Sequence, residues 1–445
     1  MAEASASGSV VFEVSPGGRL SGELGVPGDK SISHRAVMLG ALAEGTTEVS
    51  GFLEGADALA TLAAFRAMGV RVRGPDEGRL SIEGVGLHGL TAPAEALDLG
   101  NSGTSMRLLA GLLSGQGFDS TLTGDASLSR RPMGRVTEPL TTMGARIETA
   151  EGGTAPLSFR GGQSLVGIDY PMPVASAQVK SCLLLAGLYA RGTTRVTEPA
   201  TTRDHTERML AGFGYPVKRV ATSAAVTGGG RLDAREVAVP ADISSAAFFL
   251  VGAAMTPGSD LMLRHVALNP TRIGVLHILD RMGAAISVSG QYEVGGEPVG
   301  DVRVRGARLQ GVRIGADLVA LAIDELPALF IAAAAAEGET LVTGAEELRV
   351  KESDRIQVMA DGLAAIGVSA EPRPDGIRIV GGAIRGGCVV ANGDHRVAMA
   401  FAMAALRSGE GVRVEDCANV DTSFPGFAEL AYEVGLGIRV QREVL

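Results

Sequence analysis

Long apolar runs, each introduced by a short polar cluster, recur six times along the chain. A glycine, a strand-like segment and a second, amphipathic helix pattern follow each run. The period is about 70 residues, which predicts a repeated structural unit. The six runs are RAVMLGALAEG, SMRLLAGLLSGQG, VKSCLLLAGLYARG, SSAAFFLVGAAMTPG, LPALFIAAAAAEG and VAMAFAMAALRSGEG.

The two helices of each repeat differ in pattern. The first is apolar on nearly every side and must be buried, whereas the second has one apolar face. The second closes on a glycine suited to a left-handed helix cap, in FRAMGV, LTTMGA, LAGFGY, LDRMGA, LAAIGV and AYEVGL. We therefore predict six βαβαββ-type modules, three in each of two similar α/β domains, with buried helices enclosed by sheet.

Composition narrows the class of protein. The 445 residues, 46% of them hydrophobic, exceed what one core usually holds, which favours two domains. No apolar run reaches the roughly 18 residues that span a bilayer, so we expect a soluble protein without a membrane partner. The first residues, MAEASASGS, lack the basic start and apolar core of a signal peptide and predict a frayed tail and a cytoplasmic location.

Charge and cysteines exclude further classes. Lys and Arg total 40 against 50 Asp and Glu, a net charge of -10 that argues against nucleic acid as a partner. Cys182, Cys388 and Cys417 lie far apart without a CxxC pair, so we expect three buried thiols in a reducing compartment. The six histidines show no metal-binding spacing, and we expect neither a metal nor a cofactor.

Each buried helix is introduced by one of six polar clusters, GDKSISHR, GNSGTSMR, ASAQVK, ADISSA, IDELP and GDHR. Their Asp, Asn and Ser residues are typical helix N-caps, which is the simplest interpretation. Capping does not explain the cations Lys30, Arg35, Arg107, Lys180 and Arg396, because a cation at a helix N-terminus is unfavourable by about 0.3–1 kcal/mol without an anion nearby. The pattern therefore predicts a multiply anionic ligand.

Two more segments concentrate cations. EELRVKESDR (346–355) places three around Glu352, with Ser353 as the predicted cap of the helix that follows, and GDASLSRRPMGR (124–135) contributes three arginines. A solvated helix start and an exposed basic turn are the alternative interpretations. The cations are Arg349, Lys351, Arg355, Arg130, Arg131 and Arg135.

Together these motifs resemble the 5-enolpyruvylshikimate-3-phosphate synthase (EPSP synthase) family over nearly the whole chain. The resemblance is carried by PGDKSISHRA, LGNSGTSMRLLAG, GDASLSRRPMGR, ASAQVKSCLLLAGL, TRDHTERML, IDELPAL, RVKESDR and DHRVAMAF. The spelling SAQVKS is similar to the second bacterial branch. The family implies a two-domain inside-out α/β barrel with pseudo-threefold symmetry, one domain at 27–240 and the other at 1–26 plus 241–445, joined by two crossover segments near 26 and 240.

The resemblance also implies an activity. Family members transfer the enolpyruvyl group of phosphoenolpyruvate to the 5-hydroxyl of shikimate 3-phosphate, through a tetrahedral intermediate, on the pathway to chorismate and aromatic amino acids. This reaction needs a base for the hydroxyl proton, an acid for the methylene carbon and no cofactor. We expect these two small molecules as partners, glyphosate as a candidate inhibitor, closure of the two domains around the ligands, and a monomer.

Site residues follow from the family by matching position. Asp324 would be the base, Glu352 the acid and Lys30 the group that stabilises the leaving phosphate or shares the proton transfer, although Asp324 alone would be interpreted as a helix N-cap. The implied shikimate 3-phosphate contacts are Lys30, Ser31, Arg35, Ser176, Ala177, Gln178, Arg203, Asp324 and Lys351. The implied phosphoenolpyruvate contacts are Lys30, Gly103, Arg131, Gln178, Arg355 and Arg396, with Thr104 and His395 beside them.

Several positions depart from the family or admit another interpretation. Ser127 stands where many members have Arg, and Thr422 where many have Lys. Gly103 stands where some glyphosate-tolerant members have Ala. His34 and His205 fit structural roles better than catalysis.

Three rival functions remain at this point. The enolpyruvyl transferase acting on UDP-N-acetylglucosamine carries a loop cysteine that segment 124–135 lacks. An RNA-end cyclase would need a nucleophilic histidine and a basic surface. A non-catalytic anion-binding relative would not need to keep Asp324, Glu352 and Lys30 together.

Overall fold

The computed structural model describes residues 9–443, so the tail predicted for the first residues lies almost wholly outside the described part. The chain folds as two compact units. The first unit comprises Gly28–Pro240 together with Glu293–Glu297. The second comprises the chain up to Pro27, Ala241–Tyr292, and the chain from Pro298 onwards.

Twenty-four strands are assigned within the described residues, numbered here in chain order. Up to residue 240 they are β1 (Ser9–Val14), β2 (Ser21–Leu24), β3 (Glu44–Ser50), β4 (Arg71–Asp76), β5 (Arg79–Val85), β6 (Leu97–Asp98), β7 (Ser120–Thr123), β8 (Ile147–Ala150), β9 (Thr154–Phe159), β10 (Asp169–Pro171), β11 (Thr193–Thr197), β12 (Lys218–Val220), β13 (Ser223–Thr227) and β14 (Glu236–Ala238). Thereafter they are β15 (Asp260–Ala267), β16 (Ala285–Val294), β17 (Glu297–Arg305), β18 (Arg313–Ile314), β19 (Glu339–Val342), β20 (Ser369–Arg373), β21 (Gly376–Val380), β22 (Gly387–Val390), β23 (Val412–Glu415) and β24 (Ile438–Glu443).

Thirteen α-helices are assigned within the described residues. They are α1 (Lys30–Leu42), α2 (Ala56–Ala67), α3 (Gly103–Leu113), α4 (Gly134–Thr142), α5 (Ala177–Gly187), α6 (His205–Gly212), α7 (Ile243–Met255), α8 (Gly274–Arg281), α9 (Ala316–Ala322), α10 (Leu326–Ala335), α11 (Arg355–Ala365), α12 (His395–Ala404) and α13 (Phe427–Glu433). Short 3-10 turns occupy Leu128–Arg130, Glu346–Val350, Ala405–Arg407 and Ala418–Thr422.

The strands form six four-stranded sheets of one topology, three in each unit. In each sheet a strand from the preceding repeat lies parallel to the first strand, and two antiparallel strands follow, as where Val237 pairs with Val49 and Thr47 with Ile82. The first unit contains β14-β3-β5-β4, β6-β7-β9-β8 and β10-β11-β13-β12. The second contains β2-β15-β17-β16, β18-β19-β21-β20 and β22-β23-β1-β24.

Strand pairing between repeats closes each unit into a ring. The last strand of each repeat pairs in the sheet of the next repeat, and β14, from the third repeat, pairs with β3 in the first sheet. The second unit closes through β2, which follows β1 in the chain and pairs with β15. The predicted inside-out α/β fold of six repeats is therefore confirmed.

The apolar helix of each repeat lies inside the ring of sheets; these helices are α1, α3, α5, α7, α10 and α12. All thirteen residues of α7 are buried, and α1 is buried from Ile32 to Leu42. Burying each large apolar side chain contributes about 1.5–3 kcal/mol, so these helices supply the two cores. Close approach requires Gly111 of α3, because a Cβ there would lie 2.0 Å from the carbonyl oxygen of Cys182 in α5.

The six glycines that close the outer helices adopt the left-handed conformation predicted for them, with φ between 81° and 114°. They are Gly69, Gly144, Gly214, Gly283, Gly367 and Gly435. A side chain at these positions would strain the backbone, which explains why glycine recurs there.

The cysteines and the helix lengths can be compared with the predictions from the sequence. Cys182 and Cys417 are buried thiols as predicted, but the prediction was wrong for Cys388, which is exposed because it occupies an outward position of edge strand β22. No single helix within 9–443 is long and apolar enough to cross a bilayer; α9 and α10 reach that length and hydropathy only as a pair bent by 116°.

Candidate active site

Five of the six polar clusters supply the side-chain N-cap of the buried helix that follows them. Asp29 accepts from the Ile32 N–H over 2.9 Å, and corresponding caps hold α3, α5, α7 and α12. The sixth helix, α10, begins after Glu325 without a side-chain cap. Asp324 lies in the turn before it, so the alternative interpretation of Asp324 as an N-cap is excluded.

Four predicted site residues of the second unit surround Asp324, and we call these five residues the Asp324 cluster. The Asp324 carboxylate lies 3.4 Å from Arg355 Nη1, 3.8 Å from Lys351 Nζ and 4.0 Å from Arg396 Nη2. Arg396 Nη1 also donates to the Asp324 carbonyl over 3.0 Å. Glu352 completes the cluster because its Oε2 accepts a hydrogen bond from Arg355 Nη2 over 2.5 Å. Three cations thus converge on one partly exposed carboxylate.

Arg355 is the buried centre of this cluster. Its Nε donates to Asp394 Oδ2 over 2.8 Å, and only 1% of its side chain is exposed. Burial lowers the pKa of Arg355, but the carboxylates of Asp394, Glu352 and Asp324 outweigh burial and raise that pKa above its ordinary value. Arg355 therefore stays charged while its outer nitrogens face the two candidate proton-transfer groups.

The segment before α11 is capped differently from the prediction. Asp354, not Ser353, accepts from the Gln357 N–H, over 3.1 Å. Ser353 donates instead to Asp394 Oδ2 over 3.0 Å. The prediction of a Ser353 cap was wrong because the next residue offers a carboxylate, a comparably favoured cap, in the capping position.

In the first unit, Lys30 begins α1 and forms an ion pair with the buried Asp57 of α2. His34, one turn further along α1, lies within 2.7 Å of Thr61 Oγ1. Burial lowers the pKa of His34 well below its ordinary value, and the neighbouring Lys30 and Arg35 lower it further. His34 is thus a neutral hydrogen-bonding residue, which fits the predicted structural role.

Helices α3 and α5 bring a second set of predicted residues together. Gln178 accepts from Arg107 Nη1 over 2.8 Å and donates to Thr104 Oγ1 over 3.1 Å. A Cβ added at Gly103 would lie 3.0 Å from both Arg107 Nη1 and Arg131 Nη1. Gly103 therefore leaves space beside two guanidinium groups. Arg107, one of these two arginines, is not among the substrate contacts that the resemblance implies.

Arg131 follows the 3-10 turn of segment 124–135 and is nearly buried. Its Nη2 donates to Asn101 Oδ1 over 2.6 Å, and Asn101 donates in turn to Asp125 over 2.7 Å. Ser127, the departure from the common pattern, lies 3.4 Å from the same nitrogen. The alternative interpretation of this arginine as part of an exposed basic turn does not hold.

Arg35 is enclosed by protein groups. Its three nitrogens donate to Thr206 Oγ1, Ser181 Oγ and the Ser31 carbonyl, over 2.6, 2.8 and 2.9 Å. Burial lowers the pKa of Arg35 to about 10, and the carboxylate of Glu207 opposes that shift. The arginine remains charged at neutral pH and holds the start of α1.

The contacts of Lys180 contradict the prediction that each cation at a helix start binds an external anion. Its ammonium lies 2.8 Å from both Glu198 and Glu207, so its charge is balanced inside the protein and no external anion is needed. Neither glutamate, nor Asp57 beside Lys30, was singled out from the sequence. No local pattern pairs residues that lie in distant segments of the chain, so these pairs are seen only in the tertiary structure.

The remaining predicted residues lie at the edges of these groups. Ser176 caps α5, Ala177 is its first residue, and Arg203 lies in the segment before α6. Thr422, which replaces the common lysine, donates to the Asn419 carbonyl over 2.6 Å and closes a 3-10 turn. This turn is therefore held without a lysine.

Comparison with known proteins identifies the family. The model of the family EPSP synthase (3-phosphoshikimate 1-carboxyvinyltransferase) matches residues 14–430. The chain belongs to the EPSP synthase family. A relative from Methylococcus capsulatus named 3-phosphoshikimate 1-carboxyvinyltransferase is 68% identical over 97% of this chain and 99% of its own length. One of the same name from Alkalilimnicola ehrlichii is 69% identical over 96% of both chains.

A solved EPSP synthase from Acinetobacter baumannii has the same fold. It is 56% identical in sequence, covers 97% of this chain and 100% of its own, and superposes with a TM-score of 0.88. The predicted family, fold and enzymatic class are thereby confirmed, and the UDP-N-acetylglucosamine and RNA-end alternatives are set aside.

Proposed function

We propose that Asp324 is the base that activates the 5-hydroxyl of shikimate 3-phosphate for attack on phosphoenolpyruvate. The observation that carries this proposal is the convergence of Lys351, Arg355 and Arg396 within 4.0 Å of its carboxylate. Nearby cations favour the ionised carboxylate, the form that can accept a proton. The side chain is 15% exposed, so a substrate hydroxyl can reach it.

Glu352 is the proposed acid that protonates the methylene carbon of phosphoenolpyruvate. Its pairing with Arg355 at 2.5 Å fixes the carboxyl group beside Asp324, and 23% of its side chain is exposed. Both carboxyl groups contact one buried arginine, so Asp324 can take the hydroxyl proton, and Glu352 can deliver a proton to the carbon once it has itself been protonated. Protonation makes C2 electrophilic, and the reverse transfers accompany the departure of phosphate.

The anionic groups of both substrates need cations. Arg396 and Arg355 are proposed to bind phosphoenolpyruvate together with Arg131, because guanidinium groups bind carboxylate and phosphate oxygens in pairs. Lys30 is proposed to stabilise the leaving phosphate. Gly103 and Gln178 are proposed to line the phosphoenolpyruvate site.

Shikimate 3-phosphate is proposed to bind at the starts of α1 and α5 in the first unit and at Asp324 and Lys351 in the second. The starts of α1 and α5 place the positive end of each helix dipole beside these side chains. The proposed first-unit contacts are Lys30, Ser31, Arg35, Ser176, Ala177, Gln178 and Arg203.

Phosphate release from shikimate 3-phosphate plus phosphoenolpyruvate tests the proposal. We expect Asp324→Asn and Glu352→Gln each to lower kcat by at least about 100-fold, because positioned acids and bases contribute that much or more. Asp317→Asn, at the exposed first turn of α9, is the matched control and should keep wild-type kcat. A wild-type chain that binds both substrates without turnover would instead support the non-catalytic anion-binding alternative.

We further propose that the enzyme is a cytoplasmic monomer inhibited by glyphosate. Three free cysteines, one of them exposed, suit a reducing compartment. Light scattering after gel filtration should give a mass near 45.5 kDa, and a multiple of that mass would contradict the monomer. Phosphate release measured over a glyphosate series tests inhibition.

A further inference from the structure

We infer that a buried ion network centred on Lys180 positions the shikimate 3-phosphate-binding segments of the first unit. This inference rests on the proposed function, because it takes those segments as the substrate contacts. Lys180, Glu198 and Glu207 form the core of the network, and none of the three is among the proposed substrate contacts or catalytic groups. Each acts through other residues and is therefore a positioning residue.

The core is a three-charge arrangement closed to solvent. Lys180 Nζ lies 2.8 Å from Glu198 Oε2 and 2.8 Å from Glu207 Oε1. Their side chains are only 2%, 4% and 3% exposed. Breaking such a buried pair is strongly unfavourable, because it leaves an uncompensated charge, so the three side chains hold one another in a single geometry.

One arm of the network holds the segment that carries Arg203. Glu198 accepts a hydrogen bond from Thr202 through its second oxygen. On the other side of Arg203, Thr206 donates to Ser181 Oγ over 2.7 Å, and Glu207 belongs to the same helix start. Thr202 and Thr206, on either side of Arg203, are thus both connected to α5: Thr202 through Glu198, which pairs with Lys180, and Thr206 directly through Ser181.

A second arm holds the start of α1. Arg35 Nε donates to Thr206 and Arg35 Nη2 to Ser181, while its remaining nitrogen donates to the carbonyl of Ser31. The same hydroxyl pair therefore links α1, α5 and α6. Every first-unit segment proposed to contact shikimate 3-phosphate is tied to this one network.

The core of the network differs from a ligand site, because its one ammonium group is already paired with two carboxylates. Because the two carboxylates already enclose the Lys180 ammonium, it is not available to a substrate phosphate. Its function is to orient the segments that do bind.

Calorimetric titration with shikimate 3-phosphate alone tests the inference. Thr202→Val removes one hydrogen bond without changing side-chain size, and we expect the Kd for shikimate 3-phosphate to rise about fivefold. The KM for phosphoenolpyruvate should stay within about twofold, a split that general loosening would not produce. Thr47→Val, at a buried threonine of β3 whose hydroxyl has no hydrogen-bond partner among residues 9–443, is the matched control and should bind like wild type.

Two substitutions of Lys180 test whether the charge of its ammonium group is required. Lys180→Met should raise the Kd for shikimate 3-phosphate by about tenfold or more, and Lys180→Arg should restore part of that loss because it keeps the charge. If Lys180→Met does not fold, Thr202→Val decides the question. Folded variants that bind shikimate 3-phosphate like wild type, or that change both substrate constants equally, would overturn the inference, whereas a wild-type chain without turnover would overturn the proposed function instead.

Discussion

Arg355 and Asp394 join the starts of α11 and α12 through a hydrogen bond of 2.8 Å between Nε and Oδ2. Asp394 also caps α12, where it accepts from the N–H groups of Arg396 and Val397. One buried carboxylate thus fixes both the arginine at the centre of the Asp324 cluster and the helix that presents Arg396. Burial raises the pKa of Asp394, but Arg355 outweighs burial and lowers that pKa below its ordinary value.

Asp394→Asn should destabilise the protein by about 3 kcal/mol, because it removes the fully buried carboxylate paired with Arg355 and leaves that buried guanidinium only the partly exposed Asp324 and Glu352. Urea unfolding at neutral pH measures this change. The control is Glu339→Gln, which breaks the half-exposed pair with Arg378 and should cost less than about 1 kcal/mol. Equal losses for the two variants would contradict a structural role for Asp394.

Arg396→Lys should raise the KM for phosphoenolpyruvate about tenfold and leave the KM for shikimate 3-phosphate within about twofold. Lysine keeps the charge but loses the paired donors that suit a carboxylate or phosphate. Arg396 is a better probe than Arg355, whose truncation would also break the buried pair with Asp394. Steady-state kinetics with each substrate varied in turn gives the two constants, and equal rises would refute the assignment.

Gly103→Ala should weaken inhibition by glyphosate at least tenfold and raise the KM for phosphoenolpyruvate only about twofold to threefold. The added methyl would lie 3.0 Å from the guanidinium nitrogens of Arg107 and Arg131, so it narrows the space beside them. The longer inhibitor tolerates this narrowing less well than the substrate does. Gly117→Ala, where a Cβ meets nothing within 4 Å, is the control and should leave both constants unchanged.

His34 should make the protein less stable as the pH falls from 7 to 5.5. The unfolded chain takes up a proton below a pKa of about 6.5, whereas burial keeps the folded histidine neutral, so protonation favours unfolding. His34→Asn should reduce this loss by about 1 kcal/mol, as measured by urea unfolding at both pH values. Replacing the exposed His88 by Asn should not change the pH dependence, and a His34 variant that behaves like the His88 variant would contradict the prediction.

Much of the fold could be predicted because it is encoded in local, repeated patterns. The six apolar runs and six closing glycines fall where the buried helices and left-handed caps form, since periodicity and backbone conformation depend on nearby residues. Asp29, Ser102 and Asp394 cap their helices for the same reason. The resemblance selected the residues of the Asp324 cluster; without it, Asp324 would be interpreted as a helix N-cap and segment 346–355 as a solvated helix start.

The repeat, the secondary structure, most helix caps and the positions where cations gather follow from local patterns in the sequence. Which anion each cation meets depends on tertiary packing: Asp57 for Lys30, two glutamates for Lys180, and Asp394 for Arg355. A helix start with a cation predicts a nearby negative charge, but electrostatics does not distinguish a substrate phosphate from a carboxylate on another helix. That choice depends on how distant segments pack, which no local pattern records.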